Sequence, residues 1–341
     1  MSRSIIYLSL IIVTTFCLSL VSKAFALPDN HKHISFAYIT DLNLYPTPLV
    51  SRREKNILEK NNGLLIYESQ VILQDVIRYI NQKLNLDAVV FGGNNIAYLP
   101  ESKTKENQRE SIWQLFLEMT SELKPRAIFV PGLNEMKLLN TDEIINSLKS
   151  SGIDSDNLWW SHKIKDFLFI GLNSSFILND SRLCEKQLIW LKKTLVENKT
   201  KYTVLFLHDS VLTPDGIPVK NKNVRELLKT IEEHSQIVLV ASGGDYLNRI
   251  YNRQNTLFIS TSSPIAYPCS YKLIEIDYNK IKVKTLTIPF KGIVKKSEQY
   301  LIASDYAIML FPSSPKLIKN YVKGMNSDLS IDLPISDLRN R

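Results

Sequence analysis

A chain of 341 residues with 44% apolar residues carries enough material for a large buried core, and its three Cys exclude a disulfide-stapled scaffold. The net charge of +8 is spread along the chain, with short clusters such as Lys192-Lys193 and Lys295-Lys296. That pattern describes a solvated surface and argues against a nucleic-acid groove, which needs a basic stripe interleaved with aromatics.

The first 26 residues have the build of a secretory signal. Arg3 is a short positive start, Ile5 to Val21 an apolar stretch, and Ala24-Phe25-Ala26 a small-residue cleavage site. Export to the periplasm or beyond is the expectation, with an uncleaved membrane anchor as the alternative. Cys17 leaves with the signal, so Cys184 and Cys269 remain. An oxidising compartment permits a bridge between them, although two Cys in a chain of this size are more often simply buried.

Apolar runs then alternate with helical periodicity. Ile34 to Thr40 is the first strand, and Pro46 and Pro48 interrupt regular structure after it. Ile66 to Leu84 places Val71, Ile72, Val76, Ile77, Ile80 and Leu84 at helical spacing. Asp87 to Phe91 is a second buried strand, Asn107 to Leu123 a second helix, and Arg126 to Val130 a third strand. The order predicts a sheet with helices packed outside it.

A pair of strands comes next at Leu158 to Ile164 and Phe167 to Leu172, then a helix over Glu185 to Glu197. Thr203 to Leu207 and Ile237 to Ala241 are strands separated by a helix over Asn223 to His234. Beyond Asn248 short strands alternate with turns, at Thr256 to Ser260, Tyr271 to Asp277 and Lys282 to Thr287, as an antiparallel half that completes a second sheet. Residues 27–290 are expected to form one domain. Residues 291–341 are expected to be an extension of no recognisable class, ending in a disordered tail after Asp328.

Five strands end in polar tips: Asp41-Leu42-Asn43, Gly92-Gly93-Asn94-Asn95, Gly132-Leu133-Asn134-Glu135, His208-Asp209 and Gly243-Gly244-Asp245-Tyr246. In open α/β sheets, sites are built at that edge. Taken in order, the tips resemble the calcineurin-like metallophosphoesterase superfamily, in particular its exported and cyclic-nucleotide-phosphodiesterase-like branch. The resemblance covers about residues 34–288. The family's pattern is D-x-H, G-D, G-N-H-D/E, a lone His and G-H-x-H, each after a strand. Trp159-Trp160 before the strand ending in Asn173-Ser174, and Gln187 to Leu191 as a Q-x-x-W-L helix, are similar to its non-catalytic landmarks.

The resemblance implies a four-layer α/β/β/α sandwich of two mixed β-sheets flanked by helices. It also implies a phosphoester hydrolase in which two divalent metals polarise the phosphoryl group and generate hydroxide. This chain departs from that pattern at most ligands. Asp41 and His208 are retained. Asn43 stands for a His, Asn94 for the bridging carboxylate, and Asn134 for the catalytic His. Gly244 and Tyr246 stand where both His of the last motif belong. His31 and His33 lie toward the mature N-terminus, His162 sits in a hairpin and His234 ends a helix, so no reserve imidazole is placed to rebuild the centre.

The favoured expectation is a catalytically degenerate member without a cofactor. The alternative is an active hydrolase in which Asp41, Asn94, Asn134, Glu135, His208 and Asp245 offer an oxygen-rich pocket to one Mg²⁺, Mn²⁺ or Ca²⁺, with Fe or Zn as further metals of the family. A structural envelope protein whose polar tips are only turn formers is the third reading. The partner stays open between a phosphorylated small molecule and an envelope protein.

Overall fold

In a computed structural model, residues 32–46, 63–98 and 106–339 are described. The expected signal peptide over residues 1–26 and His31 lie outside them. None of the described helices is long and apolar enough to cross a membrane.

The described chain begins with β1 (His33–Ile39), a short 3₁₀ turn, α1 (Ser69–Lys83), β2 (Ala88–Phe91), α2 (Glu106–Ser121), β3 (Arg126–Phe129), α3 (Leu133–Leu138) and α4 (Thr141–Ser150). It continues through β4 (Trp160–Ile164), β5 (Phe167–Gly171), α5 (Ser174–Asn179), α6 (Ser181–Glu197), β6 (Thr203–Asp209), α7 (Lys222–Glu232) and β7 (Ile237–Gly243). Next come β8 (Arg249–Arg253), β9 (Thr256–Ser260), β10 (Ser270–Asp277), β11 (Lys280–Thr287), α8 (Lys291–Ile302), α9 (Asp305–Leu310), α10 (Ile318–Lys323), α11 (Asn326–Leu329), β12 (Ser330–Pro334) and α12 (Ile335–Arg339).

The strands form two six-stranded mixed sheets, ordered β12-β11-β10-β1-β2-β3 and β4-β5-β6-β7-β9-β8. In the first, β1, β2 and β3 run parallel while β10, β11 and β12 add antiparallel strands. In the second, β5, β6, β7 and β9 are parallel, edged by antiparallel β4 and β8. The central strands are buried along their length, which is why Phe36 to Ile39 and Thr203 to Leu207 read as continuous apolar runs.

The sheets pack face to face through aromatic side chains. Phe36 meets Phe169 edge-on at 5.0 Å between ring centroids, and Phe169 meets Phe206 at 5.1 Å. Tyr38 Oη donates to the carbonyl of Leu207 at 2.9 Å, which ties the middle of one sheet to the other. Outside the sheets, Ile72, Val76 and Ile80 of α1 and Ile112 and Phe116 of α2 join the central core. Leu188, Leu191 and Leu195 of α6 and Leu227 and Ile231 of α7 form a second core on the other outer face. Asp180 and Asn221 cap α6 and α7 by accepting from first-turn N–H groups.

Several expectations are corrected. The antiparallel half does not complete one sheet: β8 and β9 join the second, while β10 and β11 join the first beside β1. His33 opens β1 rather than lying in a tail, and Val71 points to solvent. Cys184 and Cys269, by contrast, are buried free thiols, in line with the expectation that two Cys in a chain of this size are simply buried. The largest correction concerns the C-terminus. The segment after Asp328, expected to be disordered, forms β12 and pairs with β11 from Lys280↔Pro334 to Lys284↔Ser330. Five residues have little strand propensity alone; the open edge of β11 supplies the partner. Leu301, Ala307, Ile318 and Val322 of the extension bury themselves against Leu247.

Candidate functional site

Because β1, β2, β3, β6 and β7 run parallel within their sheets, their C-terminal tips gather at one edge. Sharp turns there need unusual backbone. Asp41, Asn43 and Asn94 have φ of 54°, 45° and 48°, in the left-handed region that Asp and Asn tolerate better than other side-chain-bearing residues. Gly93 is at φ 93°, and a Cβ there would come within 2.8 Å of the His208 side chain. A Cβ on Gly132 would sit 2.3 Å from the Asn94 nitrogen. The loops interlock through these two glycines.

Asp41 is at the centre, fully buried. Its Oδ2 accepts from Thr40 Oγ1 at 3.0 Å and from the Gly244 N–H at 2.8 Å. Its Oδ1 accepts from Asn94 Nδ2 at 3.2 Å and faces His208 Nε2 at 3.7 Å. The orientation of the Asn94 amide is set by the main chain, because its Oδ1 accepts from the Asn134 N–H at 3.0 Å. The NH₂ must therefore point at Asp41.

The same logic runs through the neighbouring amides. Asn43 Nδ2 donates to the Asp41 carbonyl at 3.0 Å and to Tyr246 Oη at 3.2 Å, leaving Asn43 Oδ1 to accept from Asn134 Nδ2 at 2.9 Å. Asn134 Nδ2 also donates to the Ile96 carbonyl. Asn43, Asn94 and Asn134 thus bond mainly to one another and to backbone.

Glu135 is buried and accepts four backbone N–H groups. Oε1 takes Asn95 at 2.7 Å and Ile96 at 3.1 Å; Oε2 takes Gly132 at 2.7 Å and Asn94 at 3.0 Å. It binds the turn after β2 to the turn after β3. Asp245 turns away from Asp41: its Oδ1 accepts from Ser260 Oγ at 2.6 Å and from the Leu247 N–H at 3.0 Å. The structure thus brings Asp41, Asn43, Asn94, Asn134, Glu135 and His208 together and leaves Asp245 to one side.

Two participants were not singled out in the sequence, Thr40 and Ser263, whose Oγ donates to the Asp41 carbonyl at 2.7 Å, while Gly244 and Tyr246, expected only as lost ligands, contribute an N–H and a hydroxyl. Tyr246 was detectable, since it occupies the last position of the fifth tip. Ser263 lies beyond the end of β9 with no motif around it.

Burial pushes the Asp41 carboxyl up, with the charge of His208 and the Gly244, Thr40 and Asn94 donors pulling the other way. Burial also raises Glu135, against its backbone donors and His208. For His208 burial acts to lower the imidazole, but the carboxylates of Asp41, Asp209 and Glu135 outweigh it and the balance is upward. His208 Nδ1 lies 3.0 Å from the Gly92 carbonyl, which can only accept, so Nδ1 carries hydrogen. Its Nε2 is left facing Asp41 Oδ1 at 3.7 Å.

These residues do not fit a two-metal centre. Among the described residues no group of three or more His, Cys, Asp or Glu is placed to hold an ion. Asn94 presents N–H hydrogens to Asp41, and all four acceptor contacts of Glu135 are spent on main chain.

Asn94→Asp tests this geometry. A carboxylate oxygen would then face Asp41 Oδ1 in a buried setting, where like charges cannot both ionise cheaply. Urea unfolding at neutral pH is expected to show a loss of about 2 kcal/mol or more. Unchanged stability would mean that the amide does not face Asp41.

Neither a family model nor a curated protein matches the sequence. Solved structures do. A dimetal phosphatase from Danio rerio is similar over 75% of this chain and 98% of its own, at 14% identity and a TM-score of 0.58. GAP50, the anchor in the inner membrane complex of Plasmodium, is similar over 80% of this chain and 94% of its own, at 12% identity and a TM-score of 0.49. The protein TT1561 of Thermus thermophilus is similar over 75% and 99%, at 11% identity and a TM-score of 0.47. At these identities the likeness speaks for architecture, and chemistry has to be argued from the site. With its two mixed sheets and strand-tip loops in the expected order, the chain has the fold of the calcineurin-like metallophosphoesterases.

Proposed function

We propose that this chain is a non-catalytic phosphoesterase-fold protein, in which the strand tips that hold two metals in the enzymes serve here as a closed, hydrogen-bonded structural plug. One observation carries the reading: the Asn134 N–H fixes the Asn94 amide so that its hydrogens point at Asp41. A cation at that place would meet N–H dipoles directed positive end inward, with only the Asp41 carboxylate and the His208 imidazole left of the family's ligands. The same plug joins β1, β2, β3, β6 and β7 and so has a use without chemistry.

The test is metal content by elemental mass spectrometry after incubation with Mn²⁺ and desalting, together with hydrolysis of bis(p-nitrophenyl) phosphate. Metal well below stoichiometric and no turnover above that of an Asp41→Ala variant are expected. About two equivalents of metal, or turnover abolished by Asp41→Ala, would overturn the reading. A single equivalent would favour a one-ion, oxygen-rich site instead.

A further inference from the structure

Beside the plug, on the side to which Asp245 turns, lies a cavity of about 320 Å³. Five separate parts of the chain enclose it, one of them the segment before α1 through Leu64. The tip of β7 contributes Asp245 and Tyr246, the turn after β9 contributes Tyr267, and the C-terminal extension closes it with Leu301 of α8, Tyr306 of α9 and Val322 of α10. Pro214, from the loop after β6, completes the wall.

The lining is apolar and aromatic with one carboxylate. Asp245 Oδ1 is taken by Ser260 and the Leu247 N–H, and Oδ2 accepts no hydrogen bond among the described residues. No described Lys or Arg forms an ion pair with it. Arg249, whose charge acts on Asp245, spends its guanidinium on the carbonyls of Asn248, Tyr321 and Pro214 and stacks over the Tyr321 ring at 5.1 Å. A cavity of this size, with apolar walls and a single convergent polar group, has the character of a small-molecule site. Water alone would satisfy the carboxylate but leave the aromatic walls poorly solvated.

A single carboxylate among apolar and tyrosine side chains asks for a cationic group carried on an apolar body. We propose that this cavity binds a small organic ammonium cation with a compact apolar or aromatic body, its nitrogen on Asp245 and its body among Tyr267, Tyr306, Leu301 and Val322. The residues assigned to this contact, Asp245, Tyr267, Tyr306, Leu301 and Val322, are distinct from the Asp41–His208 pair. It also gives the C-terminal extension a purpose, since three of its helices each supply a wall residue.

The experiment uses three probes of one shape, benzylamine, benzyl alcohol and benzoate, titrated into the full chain by calorimetry at neutral pH. Benzylamine is expected to bind about tenfold more tightly than benzyl alcohol, with benzoate weakest, the order that a lone carboxylate in an apolar cavity imposes. Asp245→Asn should erase the preference for benzylamine. Tyr306→Ala, on the half-exposed wall, should weaken benzylamine several-fold while circular dichroism and the melting temperature stay near those of the parent. It serves as the arbiter should Asp245→Asn fail to fold. Equal binding of the three probes, no benzylamine binding at millimolar concentration, or unaltered benzylamine affinity in a folded variant would each overturn the proposal.

Discussion

Replacing Glu135 by Ala is expected to cost about 4 kcal/mol or more in urea unfolding, the largest single-site loss at the strand tips. Four backbone N–H groups, on Asn94, Asn95, Ile96 and Gly132, would lose their acceptor together. Each donor left unpaired in a buried place costs about 1–3 kcal/mol, and water entering the void offsets part of the sum. Glu135→Gln separates shape from charge. One amide oxygen can still take two donors, but the NH₂ then points at the other two, so about half the loss is expected. A loss below about 1 kcal/mol for Glu135→Ala would show that the two turns hold themselves, and that Glu135 is not their common acceptor.

The second large effect is at Lys272, which is fully buried on β10. Its Nζ donates to Thr285 Oγ1 on β11 and to the Asp328 carbonyl in α11, both at 2.7 Å, and so fastens the extension to the first sheet. Asp328 in turn accepts from the Ile250 and Met325 N–H groups. Lys272→Ala removes that fastening and leaves a void, for an expected loss of about 3 kcal/mol. Lys272→Met, of similar length, should lose much less, since it also removes the cost of burying an ammonium.

Lys272 further links stability to pH. Burial lowers its pKa to about 7, with the charge of Asp328 opposing. In the unfolded chain the ammonium stays protonated up to about pH 10.4, so between those values the unfolded state binds the extra proton. Stability from this group therefore rises with pH through that window, by at most about 1.4 kcal/mol per pH unit. Neutral amine still has two hydrogens for its two acceptors. Burial raises Cys184 to about 11 and Cys269 to about 12, and these work in the opposite sense as pH increases. The informative quantity is thus the difference between the parent and Lys272→Met. That difference should move in favour of the parent by about 1–2 kcal/mol from pH 7 to 8.5. A difference that stays flat would mean that Lys272 titrates outside this range.

Much of this architecture was legible because buried parallel strands write themselves as apolar runs. Ala88 to Phe91 and Thr203 to Leu207 need no partner to be recognised, and the polar residues after them mark the edge where strands end. Asp41, Asn94 and His208 could be placed together by order alone. What order could not supply was direction. Whether Asn94 turns oxygen or hydrogens toward Asp41 depends on the Asn134 N–H, forty residues on in the chain. Asp245 looked like an oxygen donor to the centre until Ser260 and the Leu247 N–H claimed it.

The C-terminus was illegible for a different reason. Ser330 to Pro334 is short, polar at alternate positions and closed by a proline, and its order comes from the edge of β11 and from Lys272 reaching Asp328. Strand propensity is a property of the surroundings as much as of the residues. The polar tips, too, had a plain explanation as turn formers. Backbone φ values of 45–54° at Asp41, Asn43 and Asn94 agree with it, so structure and turn chemistry act at the same residues.

The position of β1 between β2 and β10 sets a timetable for biosynthesis. His33 at the start of the sheet pairs with Asp277 near the other end of the chain. At translation speeds of about 5–20 residues per second, β1 and β2 have left the ribosome for on the order of 10 to 50 s before β10 exists. Throughout that interval the Phe36 to Tyr38 edge is an unpaired, apolar template that could recruit a strand from another nascent chain. A cell making this protein has to shield that edge until the final third of the polypeptide arrives.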